Sequence, residues 1–176
     1  MVALPSQNTY LLEFLENIIE EKGIKKIGIS FAGQVCEGKI ISAPNIDLAN
    51  LNIKQYIEAK YGVVLEIDND LKCATLYESS LFPQFKNLCV IYIGTGVGAG
   101  LIVNHQLVRG KNNFAGELGH IPFRKTPFVC GCSRDDCLEL SVGGKALKRW
   151  CEHYELDENH TNLELLLSTA KGKAIY

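Results

Sequence analysis

Cys130, Cys132 and Cys137 fall within the eight residues CGCSRDDC, and His120 stands ten positions before the first of them. Three thiolates and one imidazole form a donor set that tetrahedral zinc accepts, and a closed set of four ligands marks a structural site whose role is to pin an irregular loop. The alternative is three unrelated small apolar side chains, since free cysteine is commonly buried. The tight spacing and the nearby histidine favour zinc. Cys36, Cys73, Cys89 and Cys151 stand alone and read as core residues.

GTGVGAG, residues 94–100, is a second candidate. A dinucleotide fingerprint must open a helix, whereas the following LIVNHQLVRG reads as a β-hairpin, and no Gly-Lys-Ser/Thr completes a Walker loop. Two readings remain: a strand-loop-strand turn whose backbone N–H groups and Thr95 hydroxyl cradle a phosphate, or a purely structural hairpin. IDND places Asp68, Asn69 and Asp70 where a buried strand hands over to a helix. They are candidates for base and hydrogen-bonding roles, or Asn69 or Asp70 simply caps the helix. GELGH adds Glu117 and His120, and Glu139 follows two residues after Cys137. If one His120 ring nitrogen binds zinc, the other N–H is free for a ligand hydroxyl, and the two glutamates can accept hydroxyl protons. That ring of donors and acceptors suits a polyol, whereas each glutamate taken singly reads as a solvated surface acid.

The elements that must position these residues alternate. From a cap at Asn8 or Thr9, apolar residues recur at helical spacing until Gly23; KKIGISF and KIISAPN read as extended pieces, the second ended by Pro44. NIKQYIEAKYG reads as a helix with Gly62 past its end, VVLEI as a buried strand, and residues 71–81 as a helix. PQFKN breaks the pattern. Strand, glycine loop, strand, turn at Asn104 and His105, and strand follow; after the cysteine segment GGKALKRWCEHYEL and NLELLLSTAKGKAIY are helical patterns. The alternation of strand and helix in the first half predicts α/β there; one domain or two small lobes both fit the length, and if there are two, PQFKN divides them into residues 1–86 and 87–176.

The 176 residues, 47% apolar and 22% charged, suffice for a buried core. Eighteen basic against twenty acidic residues, with no basic block, predict no nucleic-acid partner. No apolar run of membrane-spanning length and no secretory leader pattern is present, so a cytoplasmic protein without a membrane partner is expected. In that reducing compartment seven cysteines, an odd number, point to metal before disulfides.

Taken together, ISAPN, IDND, IYIGTGVGAGLIVNHQLVRG and GELGH followed by CGCSRDDCLEL resemble the ROK family of sugar kinases and transcriptional repressors, over about residues 25–150. The resemblance implies an actin-like (ribonuclease H-like) ATPase fold of two lobes, with ATP and a hexose or N-acetylhexosamine in the cleft. It implies Asp70 as general base, Asn69, Glu117, His120 and Glu139 on the sugar hydroxyls, and Gly94, Thr95 and Gly96 on phosphate. It also implies a structural zinc on His120, Cys130, Cys132 and Cys137, and ATP with magnesium. Two departures stand out: Ser133 and Asp136 occupy positions where the family normally has glycine. The resemblance further implies an N-terminal phosphate hairpin and a C-terminal adenosine site outside these 176 residues. The chain is therefore expected to be an incomplete kinase that self-associates or is completed by another chain. The alternatives within the resemblance are a sugar-responsive regulator and an inactive zinc-stabilised sugar-binding module.

Overall fold

Helix α1, Tyr10–Lys22, buries Leu11, Leu15 and Ile19, one residue per turn, and ends where Gly23 takes φ +60° and donates its N–H to the Ile19 carbonyl at 3.0 Å. The computed structural model describes residues 10–42 and 52–155, so the expected caps at Asn8 or Thr9 lie outside the described residues. Strand β1, Lys26–Phe31, leads into an antiparallel pair, β2 (Gln34–Cys36) and β3 (Lys39–Ser42). The expected extension of β3 through Pro44 lies outside the described residues. β2 escapes the sequence reading because three residues are too few to show an alternating period.

Helix α2, Ile53–Tyr61, starts on the Asn52 side chain, which accepts from the Gln55 N–H at 2.9 Å, and stops at Gly62 in the left-handed region. Strand β4, Val64–Asn69, then pairs in parallel with β1, from Lys26 opposite Val64 to Phe31 opposite Asn69. This parallel pair, with helix α2 between its strands, is the α/β pattern that the alternation predicts. Its core joins the α1 stripe to Ile53 and Ile57 of α2 and to Leu65 and Ile67 of β4. Each such side chain contributes about 1.5–3 kcal/mol on full burial.

Helix α3, Asp70–Leu81, follows β4 without an intervening loop. An antiparallel sheet of β5 (Leu88–Ile93), β6 (Val97–Val103) and β7 (Gln106–Leu107) comes next, with Asn104 and His105 both at positive φ in the two-residue β6–β7 turn. α3 lies directly on β6. A Cβ at Gly98 would collide with Leu71 and one at Gly100 with Thr75, so the two glycines are what admit the helix to this distance.

Two short 3₁₀ turns, Lys111–Asn113 and Leu118–His120, lead to the cysteine loop, a one-turn helix α4 (Glu139–Val142) and α5 (Gly144–His153). Trp150 of α5 anchors this part, edge-on to Phe128 at 4.9 Å and donating its indole N–H to the Leu140 carbonyl at 2.9 Å. The helix expected from GGKALKRWCEHYEL is thus present from Gly144, while the one expected from NLELLLSTAKGKAIY lies outside the described residues. Among the described residues no helix is long and apolar enough to cross a membrane.

Candidate functional site

The polar end of β4 and the first turn of α3 form one hydrogen-bonded unit. Asn69 is the helix cap: its Oδ1 accepts from the N–H groups of Leu71 (3.1 Å) and Lys72 (3.2 Å), and its Nδ2 donates to the Gly33 carbonyl at 3.1 Å and to Asp70 Oδ1 at 3.0 Å. The sequence leaves the cap between Asn69 and Asp70; the structure gives it to Asn69. Asp70 occupies the first helical position, its Oδ1 also accepting from the Leu71 N–H at 2.9 Å. Its Oδ2 takes no hydrogen bond from the described residues. Asp70 is thus held by one oxygen and open at the other.

Asp68 is engaged differently. Arg109 holds Oδ2 at 2.6 Å, while Asn113 Nδ2 (2.8 Å) and the Asn69 N–H (2.9 Å) hold Oδ1. Asn113 Nδ2 also donates to the Val35 carbonyl at 2.8 Å, tying the segment after β7 to β2. Asp68 therefore fastens the cavity wall.

A cavity of about 250 Å³ is lined by Gly33, Gln34, Asn69, Lys72, Asn113, Glu117, His120 and neighbouring residues. It brings together Asn69, Glu117 and His120, three of the four residues expected to hold a sugar. Glu139 does not line the cavity but adjoins its His120: its Oε1 lies 3.9 Å from His120 Nδ1 and accepts from Cys130 Sγ at 3.0 Å, and its Oε2 would lie 3.0 Å from a Cβ on Gly96. It therefore sits between the cysteines and the glycine loop. A larger groove of about 910 Å³ contains Asp68 alone of the acids in IDND and none of Asp70, Glu117, His120 or Glu139, so its size does not make it the site. Lys72, Arg109 and Asn113 are cavity or wall residues that the sequence reading missed. The signal available for Lys72 was a cation in the first turn of a helix, against the helix dipole.

The side-chain donors of His120, Cys130, Cys132 and Cys137 all lie within 4.8 Å of one another. Cys130 Sγ is 3.4 Å from His120 Nδ1, and the Cys132 and Cys137 sulfurs are 3.4 Å apart. Zinc–sulfur bonds of about 2.3 Å put tetrahedral sulfur edges near ~3.8 Å, so the cluster has the dimensions of a tetrahedral site. His120 Nδ1 faces the sulfurs, while Nε2 faces Glu117 at 3.9 Å. Burial pushes the Cys130 and Cys137 thiols up, whereas the Arg134 backbone N–H brings Cys132 down. Arg134 also bridges the loop, pairing with Asp136 at 2.7 Å and donating to the His120 carbonyl at 3.2 Å. Ser133 adopts φ +69°, so of the two positions where the family has glycine this one carries a left-handed backbone, and Asp136 does not.

The glycine run divides in two. Gly98 and Gly100 serve the packing of α3, and Gly94–Gly96 makes the turn. The Gly94 and Thr95 carbonyls accept from the Gly144 and Lys145 N–H groups at 2.8 and 3.0 Å, which fixes the turn on the start of α5. The Thr95 hydroxyl makes no hydrogen bond with the described residues.

Comparison with known proteins places the chain among relatives. The chain is 31% identical over 153 residues to a glucokinase of Streptomyces coelicolor, covering 85% of this chain and 48% of that one. It is 34% identical over 129 residues to the xylose repressor of Bacillus subtilis, covering 71% and 33%. The crystal structure of a ROK family glucokinase from Streptomyces griseus in complex with glucose and AMPPNP superposes with a TM-score of 0.69 at 27% identity, covering 97% of this chain and 57% of that one. The chain thus spans about half the length of the glucokinase it matches and about a third of the repressor, at 48% and 33%. With residues 8–174 matching the family's model, the chain belongs to the ROK family.

Proposed function

We propose that this chain is the sugar-binding portion of an ATP-dependent kinase for a hexose or N-acetylhexosamine, with an actin-like fold and lobes at residues 1–86 and 87–176. The observation that carries the reading is Asp70, fixed through Oδ1 and open at Oδ2 on the turn that also carries Asn69 and Lys72 of the cavity. Asp70 accepts the proton of the sugar hydroxyl as that oxygen attacks the γ-phosphoryl group of ATP. Glu117 and the Nε2 side of His120 take and give hydrogen bonds to the sugar hydroxyls and fix which one faces Asp70. Glu139 orders the His120–Cys130 contact from behind. Gly94, Thr95 and Gly96 offer a turn with a free hydroxyl to phosphate, and magnesium supplies charge neutralisation when ATP is bound.

Zinc held by His120, Cys130, Cys132 and Cys137 supplies a four-way cross-link of the loop; the donor set and its dimensions fit that ion. In this reading the cysteines are scaffolding for the histidine that meets the sugar.

The test is calorimetric titration with glucose, mannose, fructose and their N-acetylamino relatives, followed by an ATP-coupled assay. Saturable binding weakened by Glu117→Ala is expected, with phosphorylation falling about 10²–10⁴-fold in Asp70→Asn. Folded, zinc-loaded protein that binds none of these sugars and no acidic derivative of them would sink the reading. A second reading, sugar-sensing regulation, draws on the 34% identity to the xylose repressor; it requires sugar binding without turnover in the whole protein.

A further inference from the structure

Lys72 is buried, with 4% of its surface exposed, and it lines the 250 Å³ cavity. Its ammonium donates to the Ala115 carbonyl at 3.2 Å, and no carboxylate among the described residues stands within ion-pair distance of it. The charges around it are Glu117, Asp68, Asp70 and Arg109. Asp68 is occupied by Arg109 and Asn113, Asp70 Oδ1 by the helix start, and Glu117 is half-exposed and faces His120. Two of the three ammonium donors have no hydrogen-bond partner among the described residues. The cation also sits on the third residue of α3, where the helix dipole opposes a positive charge and favours an anion.

A buried cation against a helix N-terminus is costly unless something pairs with it. The cavity is correspondingly polarised. Glu117 and His120 form a wall that exchanges hydrogen bonds with hydroxyls, and Lys72 with the start of α3 forms a wall that attracts negative charge.

We infer that Lys72 is a specificity-determining residue and that this cavity prefers a sugar carrying a carboxylate to the neutral parent sugar. One ammonium, acting as a point charge with donors to spare, matches the single negative charge of a carboxylate. The inference rests on the reading of the cavity as a sugar site.

The experiment is calorimetry at fixed ionic strength on the zinc-loaded chain, with two matched pairs: glucuronate against glucose, and N-acetylmuramate against N-acetylglucosamine. At least one acid should bind about tenfold or more tightly than its parent. That preference should vanish in Lys72→Met and also in Lys72→Gln, which keeps a donor and removes the charge. If Lys72→Met fails to fold, Lys72→Gln carries the comparison. Neutral sugars binding as well as the acids, or a preference that survives in Lys72→Gln, overturns the inference and leaves the sugar site standing. Failure of all four sugars to bind folded protein overturns both.

Discussion

Replacing Gly100 by alanine sets a methyl group on β6 against Thr75 of α3. Thr75 is fully buried, and its hydroxyl donates to the Leu71 carbonyl at 2.7 Å, so the side chain cannot turn aside without losing that bond inside a packed core. Gly100 pairs with Val90 of β5, which holds the strand from retreating. Relief must come from lifting the helix. Overpacking of this kind costs about 1–3 kcal/mol, and a clash of a backbone-borne methyl with a buried helix belongs at the upper end, near ~3 kcal/mol. Reduced freedom of the unfolded chain offsets about 0.4–1 kcal/mol of this. For a protein of this size about 2–3 kcal/mol lowers Tm by roughly 4–12 °C. Thermal melts followed by circular dichroism read the effect directly. Thr75→Ala in the same background removes the hydroxyl and methyl from the clash, so the double mutant should recover about 1 kcal/mol relative to the sum of the single changes. A Gly100→Ala protein melting within about 1 °C of the parent, with no coupling to Thr75, would refute the claim that glycine at this position is what seats α3.

Three other outcomes follow from the cysteine loop. Ser133 at φ +69° should prefer glycine, so Ser133→Gly is expected to gain about 0.5–1 kcal/mol in urea unfolding of the zinc-loaded protein; a loss would mean that the hydroxyl contributes more than the backbone strain costs. Metal analysis of protein purified without chelator should find about one zinc per chain, and chelation should lower Tm. Cys137→Ser, at a fully buried member of the cluster, should lose both the metal and that chelator sensitivity, and a protein indifferent to chelator would show that these sulfurs only pack.

How much of this was legible in the sequence varies with the range of the interaction. The α1 stripe, the Gly23 and Gly62 stops, the β5–β6–β7 meander and the start of α5 are local patterns, set by periodicity and by residues suited to turns, and the structure follows them. The Cys/His cluster was readable because Cys130, Cys132 and Cys137 lie close along the chain and His120 close to them. What the sequence could not show is which residues meet from far apart. Asn113 reaches Val35 and Asp68, Arg109 reaches Asp68, and Lys72 reaches Ala115, each over dozens of residues. Glu139 and Glu117 read alike as acids near the cysteines, yet one lies against Cys130 and the other lines the cavity.

GTGVGAG makes the same point in the opposite direction. As a string it leaves two readings, a cradle for phosphate or a structural hairpin, each taken for the whole run, but its two halves answer to different partners. Gly94–Gly96 meets the start of α5, and Gly98 and Gly100 meet Leu71 and Thr75. The second contact bears on the chemistry although it touches no ligand. Leu71 and Thr75 are one helical turn apart and set the apolar face of α3 on β6, while Asn69, Asp70 and Lys72, on the same first turn, carry the polar groups of the candidate site. Seating the helix therefore sets the position of its carboxylate and its ammonium together. A methyl group at Gly100 should thus weaken ligand binding in protein that is still folded at the assay temperature, which separates loss of position from loss of stability.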